Sequence, residues 1–171
     1  MKVIVIEHDR SLMEDLDTFL KIRWPDCYCL STDQAGKGID LVETTDPDLV
    51  ILDMEALDID GIVAIKEIRK VSIVPLVVLS RIKDDKADVV KAFYYGADVY
   101  IKRPFYILEF LSRVNALLRR TIGMKSHQNN LDISKIHTSS ESIEEAIQSQ
   151  EENCYLETYS HSFKELNKMP N

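Results

Sequence analysis

The chain reads as an α/β fold, a (βα)5 doubly wound unit built on a five-stranded parallel sheet, and three observations predict it. Wholly apolar runs such as Val3-Ile4-Val5-Ile6, Leu49-Val50-Ile51-Leu52 and Leu76-Val77-Val78-Leu79 suit strands buried on both faces. Amphipathic segments alternate with these runs from Lys2 to about Arg120, the pattern of βαβ crossovers. Each run ends in polar residues, which puts reactive side chains at the carboxyl edge of the sheet, where open α/β folds keep their sites. A chain of 171 residues has room for one sizeable core and an extension, not for two full domains.

The first strand, Val3 to Ile6, runs into Glu7 and His8. The next segment sets Leu12, Leu16, Phe19 and Leu20 on one helical face, with Ser11-x-x-Glu14 as a capping box and Trp24-Pro25 as its stop. Cys27 to Ser31 reads as the second strand, and Gln34 to Thr44 as a helix whose propensity is lowered by Gly36 and Gly38. Asp46-Pro47-Asp48 then breaks the chain before the strand that ends in Asp53. An acidic loop, Met54 to Asp60, leads through Gly61 to a helix marked by Ile62, Ile65 and Ile68. The fourth strand ends in Ser80. Asp85 to Tyr95 forms a helix stopped by Gly96, a residue that tolerates the left-handed conformation. Val99-Tyr100-Ile101 is the fifth strand and runs into Lys102-Arg103-Pro104; a last helix covers about Tyr106 to Arg120, with Arg119 and Arg120 suited to its C-terminus and Gly123 as its stop. The polar stretch Lys125 to Lys135 reads as a linker. The predicted units are residues 1–122 and a short, partly helical extension, 123–171, that carries Ser142-x-x-Glu145 and the aromatic residues Tyr155, Tyr159 and Phe163.

A formal net charge of -8 argues against a surface that binds nucleic acid or anionic membrane throughout by electrostatics. No apolar stretch approaches the roughly 20 residues that span a bilayer, and Met1-Lys2 leads into a strand without a signal-peptide core, so the chain is expected in the cytoplasm. Cys27, Cys29 and Cys154 lack zinc-site spacing and fit reduced thiols.

Glu7, Asp53, Ser80 and Arg103-Pro104 terminate four different strands, and at these spacings the chain resembles the receiver domain of two-component response regulators. The stretches Pro47 to Asp53, Asp60-Gly61 and Gly96-Ala97-Asp98 through Pro104-Phe105 carry the likeness, which covers about Lys2 to Arg120 and is nearest to receivers of the winged-helix class. The resemblance implies a flavodoxin-like strand order 2-1-3-4-5. It implies phosphoryl transfer to Asp53 from a sensor histidine kinase or a small phosphodonor, and a Mg²⁺ site near Glu7, His8, Asp53 and the main-chain carbonyl of Glu55. Ser80 and Arg103 correspond to contacts of the phosphoryl group, and Tyr100 to an aromatic switch responding to Ser80. Lys91, Asp98, Glu109 and Arg113 correspond to charges that pair across a homodimer face, a role that ordinary solvated charges match equally well.

Three departures alter the chemistry. His8 replaces a carboxylate of the family's acidic pair, and imidazole suits zinc, copper or nickel better than Mg²⁺; it also reads as a hydrogen-bonded loop histidine. Asp9 either restores the missing carboxylate or caps the first helix. Arg103 stands where the family has lysine, and its planar fork can pair with Asp53 or with phosphate. Arg81 follows Ser80 where a small residue is usual, and Leu57 stands at a common proline position. The rival reading is a phosphorylation-independent module, with Arg103 or Arg81 paired to Asp53. A third reading, an enzyme acting on phosphates, lacks a glycine-rich phosphate loop. The extension offers no basic recognition helix, so direct DNA binding by this chain is not expected, though a truncated output domain of a transcription regulator is compatible with it.

Overall fold

The structure is a computed structural model that describes residues 1–55, 58–81 and 86–125. The extension beyond Lys125, with Cys154, and the residues Leu57 and Asp85 lie outside the described residues. Five strands and five helices alternate: β1 (Lys2–Ile6), α1 (Arg10–Arg23), β2 (Tyr28–Thr32), α2 (Ala35–Thr45), β3 (Leu49–Asp53), α3 (Gly61–Val71), β4 (Leu76–Ser80), α4 (Lys86–Tyr95), β5 (Val99–Lys102) and α5 (Ile107–Lys125). All strand pairs are parallel, in the order β2-β1-β3-β4-β5. This is the anticipated order, and β1 lies where the chain's winding reverses.

The apolar runs behave as sheet interior. Every residue of β3 and β4 is buried, and so is β1 beyond Lys2. Ile4, Ile6, Val50, Leu52 and Val78 pack into one cluster with Ala35 and Val42 of α2, Ala64, Ile65 and Ile68 of α3, and Ala92 of α4. By strand alternation, Val3, Val5, Ile51 and Val77 point to the other side, where α1 and α5 contribute the buried Leu16, Leu20, Phe110 and Val114. Edge strand β2 is only half covered, with Tyr28 exposed.

Four local details correct or extend the sequence reading. Helix α1 begins at Arg10, and its cap is Asp9, whose Oδ1 accepts from the amides of Ser11 (3.0 Å) and Leu12 (3.4 Å); Ser11 is already inside the helix and caps nothing. Gly38 is a packing residue: a Cβ there would overlap the Ile6 side chain, so its hydrogen lets α2 approach β1. Helix α2 has no capping side chain of its own at Gln34. Its first amides are instead taken by Asp58 from the loop after β3, at 2.6 Å (Ala35) and 2.9 Å (Gly36). Finally, α5 continues through Gly123 to Lys125, because one glycine costs only about 1 kcal/mol within an already packed helix. Gly96 does end α4, at φ 116°, with its amide bonded to Ala92 O. Among the described residues no helix is long and apolar enough to cross a membrane.

Candidate functional site

Parallel register brings the ends of β1, β3 and β4 level. Ile6 pairs with Leu52, Asp53 with Leu79, and Ser80 with Lys102, so Glu7, Asp53, Ser80 and Arg103 meet at one edge. The loops after β1 and β3 diverge there, which opens the crevice that doubly wound sheets use. Glu7, Asp53 and Ser80 are fully buried.

The pocket is held by cations of the protein itself. Arg103 donates through Nη2 to Glu7 Oε2, and the same nitrogen lies 3.2 Å from Asp53 Oδ1. Its main-chain amide donates to Ser80 O at 2.7 Å, and the Arg103–Pro104 peptide is cis. One guanidinium thus bridges carboxylates from two strands. Among the described residues Asp53 Oδ1 and Arg103 Nε have no hydrogen-bond partner though buried, so the Arg103–Asp53 contact is one of charge rather than of aligned donor and acceptor. Glu7 Oε1 accepts from the Asp9 amide at 2.9 Å. Burial pushes the Glu7 carboxyl above its ordinary pKa; the Asp9 amide, Arg103 and His8 oppose the rise, and the charge of Asp53 adds to it.

His8 closes the other side. Its Nδ1 lies 2.6 Å from Asp53 Oδ2 and 3.3 Å from Glu7 Oε1. Its Nε2 lies 2.9 Å from Arg81 Nη2, and Arg81 Nε is paired with Glu55 Oε2 at 2.6 Å. Arg81 therefore reaches His8 and Glu55; of the two arginines weighed as partners of Asp53, it is Arg103 that reaches the carboxylate. Glu55 contributes a carboxylate contact that the reading of its carbonyl did not include. Asp9 turns to the helix cap and away from the metal-ligand role. The Ser80 hydroxyl donates to Arg81 O at 3.2 Å, along its own chain.

Ligand atoms of Glu7, His8 and Asp53 lie within 4.8 Å of one another, the spacing of a cation site. As arranged, these residues do not fit Mg²⁺. That ion demands several oxygen ligands in near-ideal octahedral geometry. Here one oxygen of each carboxylate faces Arg103, and a nitrogen faces the second oxygen of Asp53.

The remaining candidates lie apart from the pocket. Tyr100 is buried on β5, 6.3 Å from the ring of Phe93. Lys91 pairs with Asp88 at 3.0 Å and Glu109 with Arg113 at 2.7 Å, while Arg113 also donates to Tyr100 O at 3.3 Å. Asp98 is engaged at the opposite edge of the sheet, accepting from the Leu76 amide (2.8 Å) and from Arg69 (2.9 Å).

Comparison with known proteins agrees with this architecture. The family model for the response regulator receiver domain matches residues 3–115. The receiver domain of Francisella response regulator 1452 is 27% identical, with a TM-score of 0.62 over 70% of this chain and 98% of that one. A two-component response regulator from Clostridium difficile is 24% identical, with a TM-score of 0.66 over 71% and 98%. The BeF3-activated N-terminal receiver domain of Klebsiella pneumoniae RstA is 22% identical, with a TM-score of 0.64 over 70% and 99%.

Proposed function

Because the chain belongs to the response regulator receiver domain family, we propose that it is the cytoplasmic receiving module of a two-component phosphorelay, taking a phosphoryl group on Asp53 from a sensor histidine kinase or a small phosphodonor. The observation that carries this reading is the shared guanidinium: Glu7 and Asp53, 46 positions apart by their numbers, meet on Arg103 in one buried pocket. A carboxylate is a weak nucleophile toward phosphorus and needs positioning and positive charge to act. Arg103 supplies that charge from within the chain, so Mg²⁺ competes with it for the two carboxylates and binds weakly.

A phosphoryl group adds about -1.5 to -2 charge. That charge attracts the Ser80 hydroxyl away from Arg81 O, and the rearrangement passes to Tyr100 and the surface of α4, β5 and α5. Lys91, Asp98, Glu109 and Arg113 then exchange intrachain partners for those of a second copy, in a homodimer with a regulatory output such as transcription control. The module is not itself an enzyme with turnover, and residues 123–171 form an extension that follows the receiver unit 1–122.

A second reading is favoured by the engagement of both Asp53 oxygens, one by Arg103 and one by His8. In it the pocket is fixed, and the fold works as a phosphorylation-independent interaction module. Treatment of the protein and an Asp53→Asn variant with a small acyl phosphate, with Mg²⁺, with Mn²⁺ and without metal, separates the two by intact mass. A base-labile adduct absent from the variant supports the first reading, and absence of any adduct supports the second.

A further inference from the structure

We propose that His8 is a second phosphoryl acceptor, a nucleophilic imidazole at the mouth of the pocket that Asp53 orients. The inference deepens the reading above, since it takes the same pocket as a place of phosphoryl transfer. Its basis is the pair of contacts on the two ring nitrogens. A guanidinium has donors only, so Arg81 Nη2, 2.9 Å from His8 Nε2, faces a lone pair there. The ring proton of the neutral imidazole is then on Nδ1, directed at Asp53 Oδ2 2.6 Å away. A carboxylate behind the protonated nitrogen fixes the tautomer and raises the electron density at the opposite one.

Access separates the two candidate nucleophiles. Asp53 is fully buried, with Oδ2 on His8 and Oδ1 beside Arg103, so phosphorus has no approach to either oxygen without rearrangement. The His8 side chain is 19% exposed, and His8 is one of the residues lining an open groove of about 690 Å³ between α1, β2 and α2. Arg10 and Lys37 line this groove and have no ion-pair partner among the described residues, which leaves their charge for an incoming anion. Asp33 and Asp40 line it too and offset that charge, so the cation at the reacting nitrogen is Arg81, 2.9 Å from Nε2. Arg81 is half exposed and, among the described residues, its side chain is held besides His8 by Glu55 alone, so it can leave Nε2 and pair with the phosphoryl oxygens instead.

The step balances without a metal. The Nε2 lone pair attacks the phosphorus of a small acyl phosphate, the N–P bond forms as the P–O bond to the acyl group breaks, and the carboxylate leaves with that electron pair. The Nδ1 proton stays on the ring, and the positive charge that develops on the imidazole is balanced by Asp53. Asp53 is a positioning residue in this step.

The test is the full chain treated with acetyl phosphate and, separately, with phosphoramidate, followed by peptide mapping of the adduct and its lability. The expected result is a phosphoryl group on His8 of the unaltered chain, lost in acid and retained in base. It is absent from His8→Asn and His8→Gln, and forms about 10- to 100-fold more slowly in Asp53→Asn, as when a carboxylate orienting a functional histidine is removed. Mapping on the unaltered protein keeps the test valid if a variant fails to fold. A base-labile adduct mapped to Asp53 alone overturns the His8 proposal while supporting the Asp53 reading. Absence of an adduct with both donors overturns both.

Discussion

The two ends of this molecule that carry clustered charge handle it in different ways. In the pocket at the carboxyl edge, charges from β1, β3 and the turn after β5 are buried and joined across strands by Arg103. On α4 and α5 the pairs Lys91–Asp88 and Glu109–Arg113 are local, three or four residues apart on exposed helix faces. Burial raises the energetic cost of breaking a pair, because the abandoned partner keeps its charge in a medium of low dielectric. Exposed helical pairs have water as a ready substitute. The pocket is therefore the costlier of the two to rearrange, whereas the exposed α4 and α5 pairs contribute little each.

The largest expected effect is that of Arg103→Ala. Loss of the guanidinium leaves Glu7 and Asp53 buried without the cation that joins them, and urea unfolding is expected to show a loss of about 3–5 kcal/mol. Added Mg²⁺ is expected to restore part of it, since the vacated oxygens suit a hard cation. Stability unaffected by the substitution would mean that the bridge contributes nothing.

Next is Gly61→Ala. A Cβ at Gly61 would lie 2.6 Å from Met54 O, a backbone atom with no rotamer to yield, so a cost of about 1–3 kcal/mol is expected. The same change disturbs the loop after Asp53, and a sharper fall in phosphoryl acceptance than in stability would mark that loop as part of the site.

Asp58→Ala is expected to cost about 1 kcal/mol by removing the cap of α2. The two carboxylates Asp58 and Glu7 have opposite pH signatures. Asp58 is lightly desolvated, and its bonds to the Gly36 and Ala35 amides hold its pKa below the ordinary 3.8; its contribution is present above that value and lost as pH falls through the depressed one. Glu7, raised by burial, behaves in reverse. Below 4.5 the folded state has no penalty from it, and above 4.5 the unfolded chain ionises first, so stability declines until pH passes the raised folded value. Comparison of Asp58→Asn and Glu7→Gln with the parent from pH 3 upward checks both slopes.

The smallest effect belongs to the exposed face. Lys91→Ala and Glu109→Ala are each expected to change monomer stability by less than about 0.5 kcal/mol. A change in the sedimentation of the phosphorylated protein without such a change in stability would tie these charges to assembly.

Much of this was legible in the sequence, for definite reasons. Strands β1, β3 and β4 are covered on both faces, so their residues form unbroken apolar runs, and the polar residue ending each run is the site residue: Glu7, Asp53 and Ser80. Helix ends were less legible, because Ser11 and Asp9 are both competent caps and Gly123 is a plausible stop through which α5 nevertheless continues. Gly38 looked like a weakness in α2 and is a point of close approach to Ile6. The links from Arg81 to His8 and from Asp58 to α2 join residues 73 and 22 or 23 positions apart, and no periodicity encodes such partners.

The central claim is that Arg103 and Asp53 act on each other inside one buried pocket, and a double-mutant cycle with Arg103→Met and Asp53→Asn tests it most directly. The account predicts a coupling energy of about 1–3 kcal/mol in equilibrium unfolding. Strict additivity, within about 0.3–0.5 kcal/mol, would contradict it.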